Sequence, residues 1–114
     1  MDKNVEFIYM HRDIPCTEVK ISNGIVSFKN LNKDVTRCAF GVRTTATMGD
    51  VQRLFENRCF PKSRGNTKEI LKTMGLDYYD AYEICKITHG VLFDDFHWMK
   101  FDGEYIKWKD VGIR

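Results

Sequence analysis

The first group of residues that could carry chemistry is a run of cations around a proline. The stretch RCFPKSRGNTKE, residues 58–69, lies where one predicted helix ends and another begins. Cationic side chains beside the free N–H groups of a helix N-terminus could bind a phosphate or a carboxylate. We call this segment the basic elbow, and its candidate binding residues are Arg58, Lys62, Arg64 and Lys68.

The same cations also have a purely structural interpretation. Arg64 could pair with a later carboxylate, Asp80 or Asp95, and thereby fasten the helices to the C-terminal strands. Lys62 and Lys68 would then simply be solvated. The two interpretations of the basic elbow remain open at this point.

Carboxylates and aromatic residues of the later third form the second group. Residues 73–104 carry a formal charge of −5, whereas residues 53–72 carry +4. An acidic surface could contact a basic partner, and aromatic side chains are favoured at protein interfaces. The candidate residues of this face are Asp77, Tyr78, Tyr79, Asp94, Asp95 and Glu104, with further carboxylates at Asp80, Glu83 and Asp102.

The histidines and the HRD tripeptide match no catalytic or metal-binding pattern. HRD at residues 11–13 lacks the asparagine that the kinase catalytic loop carries five residues after its aspartate. Instead, Asp13 precedes Ile14-Pro15 and is predicted to accept backbone N–H bonds in a tight turn. Asp94 and Asp95 are adjacent, so on an extended segment they point in opposite directions and would not converge on a metal.

The four cysteines, at positions 16, 38, 59 and 85, have no metal-ligand spacing. We interpret them as reduced, mostly buried thiols. We accordingly predict no catalytic residue, no metal and no cofactor.

Length and composition predict a single domain over residues 1–114. Apolar residues make up 43% and aromatic residues 13%, which is enough for a packed core. The N-terminus lacks a signal-peptide pattern, and no apolar run approaches the roughly 20 residues of a membrane span. The expected location is therefore the cytoplasm, without membrane contact.

The N-terminal third is predicted to be an antiparallel β-meander. VEFIYMH, residues 5–11, is apolar and aromatic, and TEVKIS and IVSFKN alternate on either side of Asn23-Gly24. An Asn-Gly pair between two alternating runs is a strong hairpin signal, which places strands over 17–22 and 25–29. RCAFGV, residues 37–42, is a candidate for a further short strand.

Three short helices and a hairpin are predicted to follow. The first helix begins after Thr47 as N-cap and stops before Pro61; the second covers 66–74 and ends at Gly75. The third begins at Asp80, in a capping-box pattern, and ends at Gly90. HWMKF and YIKWK flank Asp102-Gly103 and predict a C-terminal β-hairpin. The fold class is thus α+β.

Three segments together resemble a known small module: MHRDIP (10–15), FPKSRGN (60–66) and HGVLFDDFHWMKF (89–101). The module is common in Firmicutes genomes and mobile elements, where it often precedes a HipA-like (CtkA-like) kinase-fold domain. Its kinase-fold part is not in this chain, so the resemblance implies no kinase activity. The matched positions are Asp13, Pro15, Pro61, Ser63, Arg64, Gly90, Asp95 and Trp98, together with Met10 and Arg12.

These patterns favour a non-enzymatic protein-interaction module of a bacterium or phage that regulates or occludes a partner protein. A more specific alternative is a phage inhibitor of host defence, of anti-CRISPR type. Such a protein would mask the nucleic-acid-binding surface of a defence nuclease with its acidic face. The third hypothesis is direct nucleic-acid binding by the basic elbow.

Overall fold

The computed structural model describes residues 4–60, 65–92 and 95–111. The class is α+β, as predicted from the sequence. Its strands form one antiparallel sheet in the order β3-β2-β1-β4. The elements are β1 Val5–His11, β2 Ile14–Ser22, β3 Ile25–Asn30, a 3-10 turn at Val35–Arg37, α1 Met48–Asn57, α2 Thr67–Met74, α3 Ala81–Thr88, β4 His97–Phe101 and α4 Trp108–Val111.

The predicted N-terminal meander is confirmed. Asn23 and Gly24 have φ angles of 52° and 78°, the left-handed values that a type I′ turn requires. This turn fixes the register of β2 and β3, so that Val19 and Ile21 share the buried face. β2 begins at Ile14, earlier than predicted, because it continues past a register shift opposite Tyr9.

The two edges of the sheet differ. β4 pairs with β1 and forms one edge, while β3 pairs with β2 and forms the other. Within the described ranges, the second side of β3 has no backbone partner. Ile25 and Lys29 lie on this exposed strand.

Helix caps agree closely with the sequence. Thr47 and Asp50 form a capping box at the start of α1, and Asp80 accepts hydrogen bonds from the first N–H groups of α3. Gly75 ends α2 in the left-handed conformation. The left-handed residue that ends α3 is His89 rather than the following glycine.

One face of the sheet carries the core, and α1 and α3 pack against it. Phe55 of α1 is fully buried, and its ring lies 5.3 Å from that of Phe7 and 5.5 Å from that of Tyr82. Phe101 of β4 completes this aromatic cluster, at 5.8 Å from Phe7. The apolar residues at helical spacing in α1 and α3 therefore face the sheet, as their spacing predicts.

Two predicted elements differ from the structure. Residues 37–42 are the end of the 3-10 turn and a further turn, not a strand, and Cys38 directs its thiol to carbonyls of its own loop and of β2. The C-terminal hairpin contributes one strand, β4, followed by the turn at Asp102-Gly103. The proposed second arm, residues 105–109, instead leads into α4, whose Trp108 packs on Phe96.

None of the helices in the described ranges has the length and apolar character that a membrane span requires.

The capping box of α1 should make stability depend on acid pH. The backbone N–H of Thr47 bonds Asp50 at 2.8 Å and lowers the pKa of this carboxyl to about 2, with further contributions from the Thr47 hydroxyl and Arg43. Because the folded pKa lies below the unfolded value of about 3.9, this stabilisation is present above about pH 4 and is lost as pH falls toward 2. We expect Asp50→Asn to reduce the loss of unfolding free energy between about pH 5 and pH 2, measured by urea unfolding. Glu56→Gln removes an exposed carboxylate of the same helix that makes no capping contact, and it is the control.

Candidate functional site

The structure corrects the prediction for Arg58. Its side chain is only 6% exposed, and its guanidinium binds Asp95 with two N–O distances of 2.7 and 2.8 Å. Arg58 is therefore a buried ion-pair partner and not a surface cation of the basic elbow. Lys68 lies exposed on α2, whereas Lys62 and Arg64, together with Pro61 and Ser63, fall outside the described residues.

Two further N–H groups of Arg58 donate to backbone carbonyls. Its Nε donates to the carbonyl of Gly90 at 2.8 Å, and its Nη2 also donates to the carbonyl of His97 at 2.7 Å. Burial raises the pKa of Asp95, but the bonds from Arg58 and from the His97 N–H outweigh it and hold the pKa below its usual value. Asp95, which the sequence suggested as a partner of Arg64, is thus bound by Arg58.

Gly90 is required at this ion pair. It has a φ of +66°, and a Cβ there would lie 3.2 Å from the Cβ of Arg58 and 3.4 Å from the sulfur of Met99. A side chain would be both strained and crowded against Arg58. Gly90 and Asp95, two positions of the resemblance, therefore meet around one arginine.

Two further resemblance positions serve the packing between β1, β4 and the C-terminal segment. Trp98 is fully buried, and its indole N–H donates to the carbonyl of Arg12 at 2.6 Å. Asp13 accepts a backbone N–H as predicted, but the donor is Trp108, at 2.9 Å, rather than a residue of its own turn. Pro15 is an exposed residue near the start of β2, opposite Met10.

The acidic and aromatic residues do not form one face. Asp77 and Tyr78 are exposed before α3, whereas Asp95 and Glu104 lie beyond its C-terminus. The eight residues of α3, a helix about 12 Å long, lie between the two groups in the chain. Tyr79 is half-buried and donates its hydroxyl to the carbonyl of Phe60 at 2.8 Å, and Asp94 lies outside the described residues.

Glu104 is tied down by two bonds. One carboxylate oxygen accepts the backbone N–H of Phe101 at 2.7 Å, and the other lies 2.8 Å from Nε2 of His89. A reversal of its charge would break both contacts, so Glu104 is a poor probe of a binding surface.

The outer edge of β4 is closed by these same groups. Its N–H donors bond to the carboxylate of Asp95, the carbonyl of His89 and the carboxylate of Glu104, through His97, Met99 and Phe101 respectively. The three distances are 3.0, 2.7 and 2.7 Å. The buried ion pair thus also helps to cap a sheet edge.

Two histidines of the sheet contact each other: His97 stacks on Tyr9 and meets His11 edge to face. The rings of Tyr9 and His97 lie 4.8 Å apart, and those of His97 and His11 lie 5.0 Å apart. Burial lowers the pKa of both histidines, which favours the neutral rings in this packing. Within the described ranges, no three histidine, cysteine or carboxylate side chains cluster as metal ligands.

A groove of about 360 Å³ crosses the part of the sheet formed by β1, β2 and β4. Strand alternation places Glu6, Ile8, Glu18 and Lys100 on the face opposite the aromatic core. Tyr105 stands at the groove with 95% of its surface exposed. We call this feature the acidic groove, and its charged lining residues are Glu6, Glu18, Lys100, Asp102 and Glu104.

The charge of the acidic groove is only partly compensated. Lys20 lies 3.6 Å from Glu6, and His89 contacts Glu104. Lys29 of β3 is the cross-strand neighbour of Glu18, beyond ion-pair distance. Among the described residues, no cation lies within ion-pair distance of Glu18 or Asp102. Two free carboxylates and an exposed tyrosine therefore face solvent at one concave surface.

Sequence reasoning missed most of the acidic groove. It identified Glu104 and Asp102 as acidic but did not connect them with Glu6 and Glu18, which precede them by more than 80 residues. The available signal was that Glu6 and Glu18, one in each strand, alternate with the apolar residues of β1 and β2. The order of the strands, which brings β4 beside β1, could not be read from that alternation.

No family model matches the chain, and comparisons with curated proteins and with solved structures found no similar protein.

The Arg58–Asp95 pair should be a principal stabilising contact. We expect Arg58→Ala to lower the unfolding free energy by about 2–4 kcal/mol, because it leaves a partly buried carboxylate without its counter-charge and removes the Arg58 donors from two carbonyls. Arg58→Lys should recover part of the loss, since an ammonium cannot replace the bidentate contact.

Thermal and urea unfolding of these variants would measure the effect. Lys68→Ala removes an exposed cation of the same segment and should change stability by less than about 0.5 kcal/mol. If Arg58→Ala were as stable as Lys68→Ala, the Arg58–Asp95 pair would not be a principal stabilising contact between α1 and β4.

Proposed function

We propose that this chain is a non-enzymatic interaction module that binds a basic, extended segment of a partner protein in the acidic groove. The observation that carries the proposal is the coincidence of free carboxylates, Glu18 and Asp102, with the exposed ring of Tyr105 along one groove. Carboxylates attract lysine and arginine side chains, and a tyrosine supplies contact area at a small entropic cost. Occupation of the groove would occlude the partner's own basic surface.

The shape of the groove fits a chain segment better than a small ligand. It is an open depression over the strands of a sheet, and its central apolar residue, Ile8, is half-buried. Charged side chains surround this apolar centre, which is the arrangement of an interface core with a polar rim. An extended peptide could lie along the groove with its cations beside Glu18 and Asp102.

A more specific form of the proposal gives the partner a function. A basic segment of a protein is often its nucleic-acid-binding surface. The module would then act in the cytoplasm as a phage-encoded inhibitor of a host defence nuclease, of anti-CRISPR type. The acidic groove supports this form because it would compete with phosphates for the same cations.

Direct nucleic-acid binding receives less support. Arg58, which was the first residue proposed for that role, is buried in its pair with Asp95. Of the predicted basic elbow, the described residues retain only Lys68 as an exposed cation.

Charge reversal in the groove should weaken partner binding. We expect the double variant Glu18→Lys/Asp102→Lys to bind an arginine- and lysine-rich peptide at least about tenfold less tightly than the wild type, because two attractive contacts become repulsive. Fluorescence anisotropy of a labelled peptide measures this affinity. Glu56→Lys/Glu69→Lys makes the same charge change on exposed positions of α1 and α2, and it should bind within about twofold of the wild type.

Tyrosine substitutions distinguish direct contact with the peptide from an effect of net charge, because they leave the charge of the chain unchanged. Tyr105→Ala should also weaken binding, whereas Tyr78→Ala removes an exposed tyrosine at the far end of α3 and should not. Pull-downs from nuclease-treated lysate with the same variants test whether the groove also binds natural partners. Equal loss in both double-lysine variants, or recovery of nucleic acid alone, would overturn the proposal.

A further inference from the structure

Two cysteines meet where α1 ends against α3. The sulfur atoms of Cys59 and Cys85 lie 3.6 Å apart, although the residues are 26 positions apart in sequence. Cys85 is fully buried among core side chains of α3, while Cys59, just after α1, is half-buried. A disulfide has an S–S distance of about 2.05 Å, so a small rotation of the two side chains would bring the sulfurs to bonding distance.

The surroundings make the two thiols chemically unequal. The contact with the Cys85 thiol is the main cause that lowers the pKa of Cys59, with a further contribution from the hydroxyl of Tyr79. The contact with Cys59 and burial both raise the pKa of Cys85. Cys59 is thus the more readily deprotonated thiol and also the more accessible one, and Cys85 lies behind it as a resolving thiol.

We propose that Cys59 and Cys85 are a peroxide-sensitive thiol pair, in which oxidation of Cys59 is resolved by Cys85 into a reversible intramolecular disulfide. The site and its reaction are independent of the function proposed for the acidic groove. The pair lies on the helical layer, and the groove lies on the opposite face of the sheet.

The reaction with hydrogen peroxide balances in two steps. The Cys59 thiolate attacks one peroxide oxygen, the O–O bond breaks, and the departing hydroxide takes a proton to become water, which leaves Cys59 as a sulfenic acid. The Cys85 sulfur then gives up its proton and attacks the Cys59 sulfur, and the S–O bond breaks to release a second water. The two thiols lose two electrons and two protons in total. A dithiol reductant restores them by thiol–disulfide exchange.

The other two cysteines provide an internal control. Cys16 and Cys38 are both buried. Their thiols contact backbone carbonyls, as those of Cys59 and Cys85 also do, so it is burial that distinguishes them from Cys59. Neither is as accessible as Cys59, and Cys16 has its pKa raised, chiefly by burial. A general oxidation of thiols would affect these residues as well, but the proposed reaction would spare them.

Peptide mapping after peroxide treatment tests the pair. The wild-type chain is treated with hydrogen peroxide, alkylated, digested and analysed by mass spectrometry. We expect a Cys59–Cys85 cross-link to form at least about tenfold faster than any link that includes Cys16 or Cys38, and to disappear with dithiothreitol. A Cys16–Cys38 link formed at the same rate, or a Cys59–Cys59 link between two copies, would overturn the proposal.

Single substitutions test the order of the two steps. Cys85→Ser should leave Cys59 as a sulfenic acid that dimedone labels, whereas Cys59→Ser should leave Cys85 unlabelled. Cys85 lies in the core, so its substitution could unfold the chain; the wild-type mapping and Cys59→Ser then decide the question. Dimedone labelling of Cys85 in folded Cys59→Ser would contradict the assigned roles.

Discussion

The structure depends on one buried ion pair, between Arg58 and Asp95. Burial of a guanidinium is costly unless its donors are used, and here the carboxylate and the carbonyls of Gly90 and His97 accept them. These contacts bring the end of α1, the loop after α3 and the start of β4 to one point. The cost of desolvation makes this arrangement specific, because any displacement would leave a buried charge without its partner.

The same network determines which part of the sheet can bind. The Asp95 carboxylate is bound by β4 and Arg58, and the Glu104 carboxylate is bound by β4 and His89. Neither carboxylate is therefore free to contact a partner. The carboxylates that remain free, Glu18 and Asp102, are exposed on the other side of the sheet from the aromatic core. Function is therefore expected on the face that the helices leave uncovered.

Local rules predicted the local features of this fold. The Asn23-Gly24 turn and the caps at Thr47 and Asp80 each depend on a few neighbouring residues, and each was found where the sequence placed it. Features set by distant contacts were missed. Arg58 was predicted to be a binding cation of the basic elbow because its partner lies 37 residues later. Residues 105–109 alternate like a strand, although no neighbouring strand pairs with them in the described structure. The acidic groove depends on strand order, which is equally non-local.

The open side of β3 limits how this chain could assemble with itself. A fibre grows by strand addition only if each copy offers two free edges. Here the N–H donors of β4 are already bonded to side chains and to His89, so among the described strands a copy can add a strand only at β3. Two copies joined there would form a closed pair related by a two-fold axis, with both outer edges capped, and growth would stop at that pair.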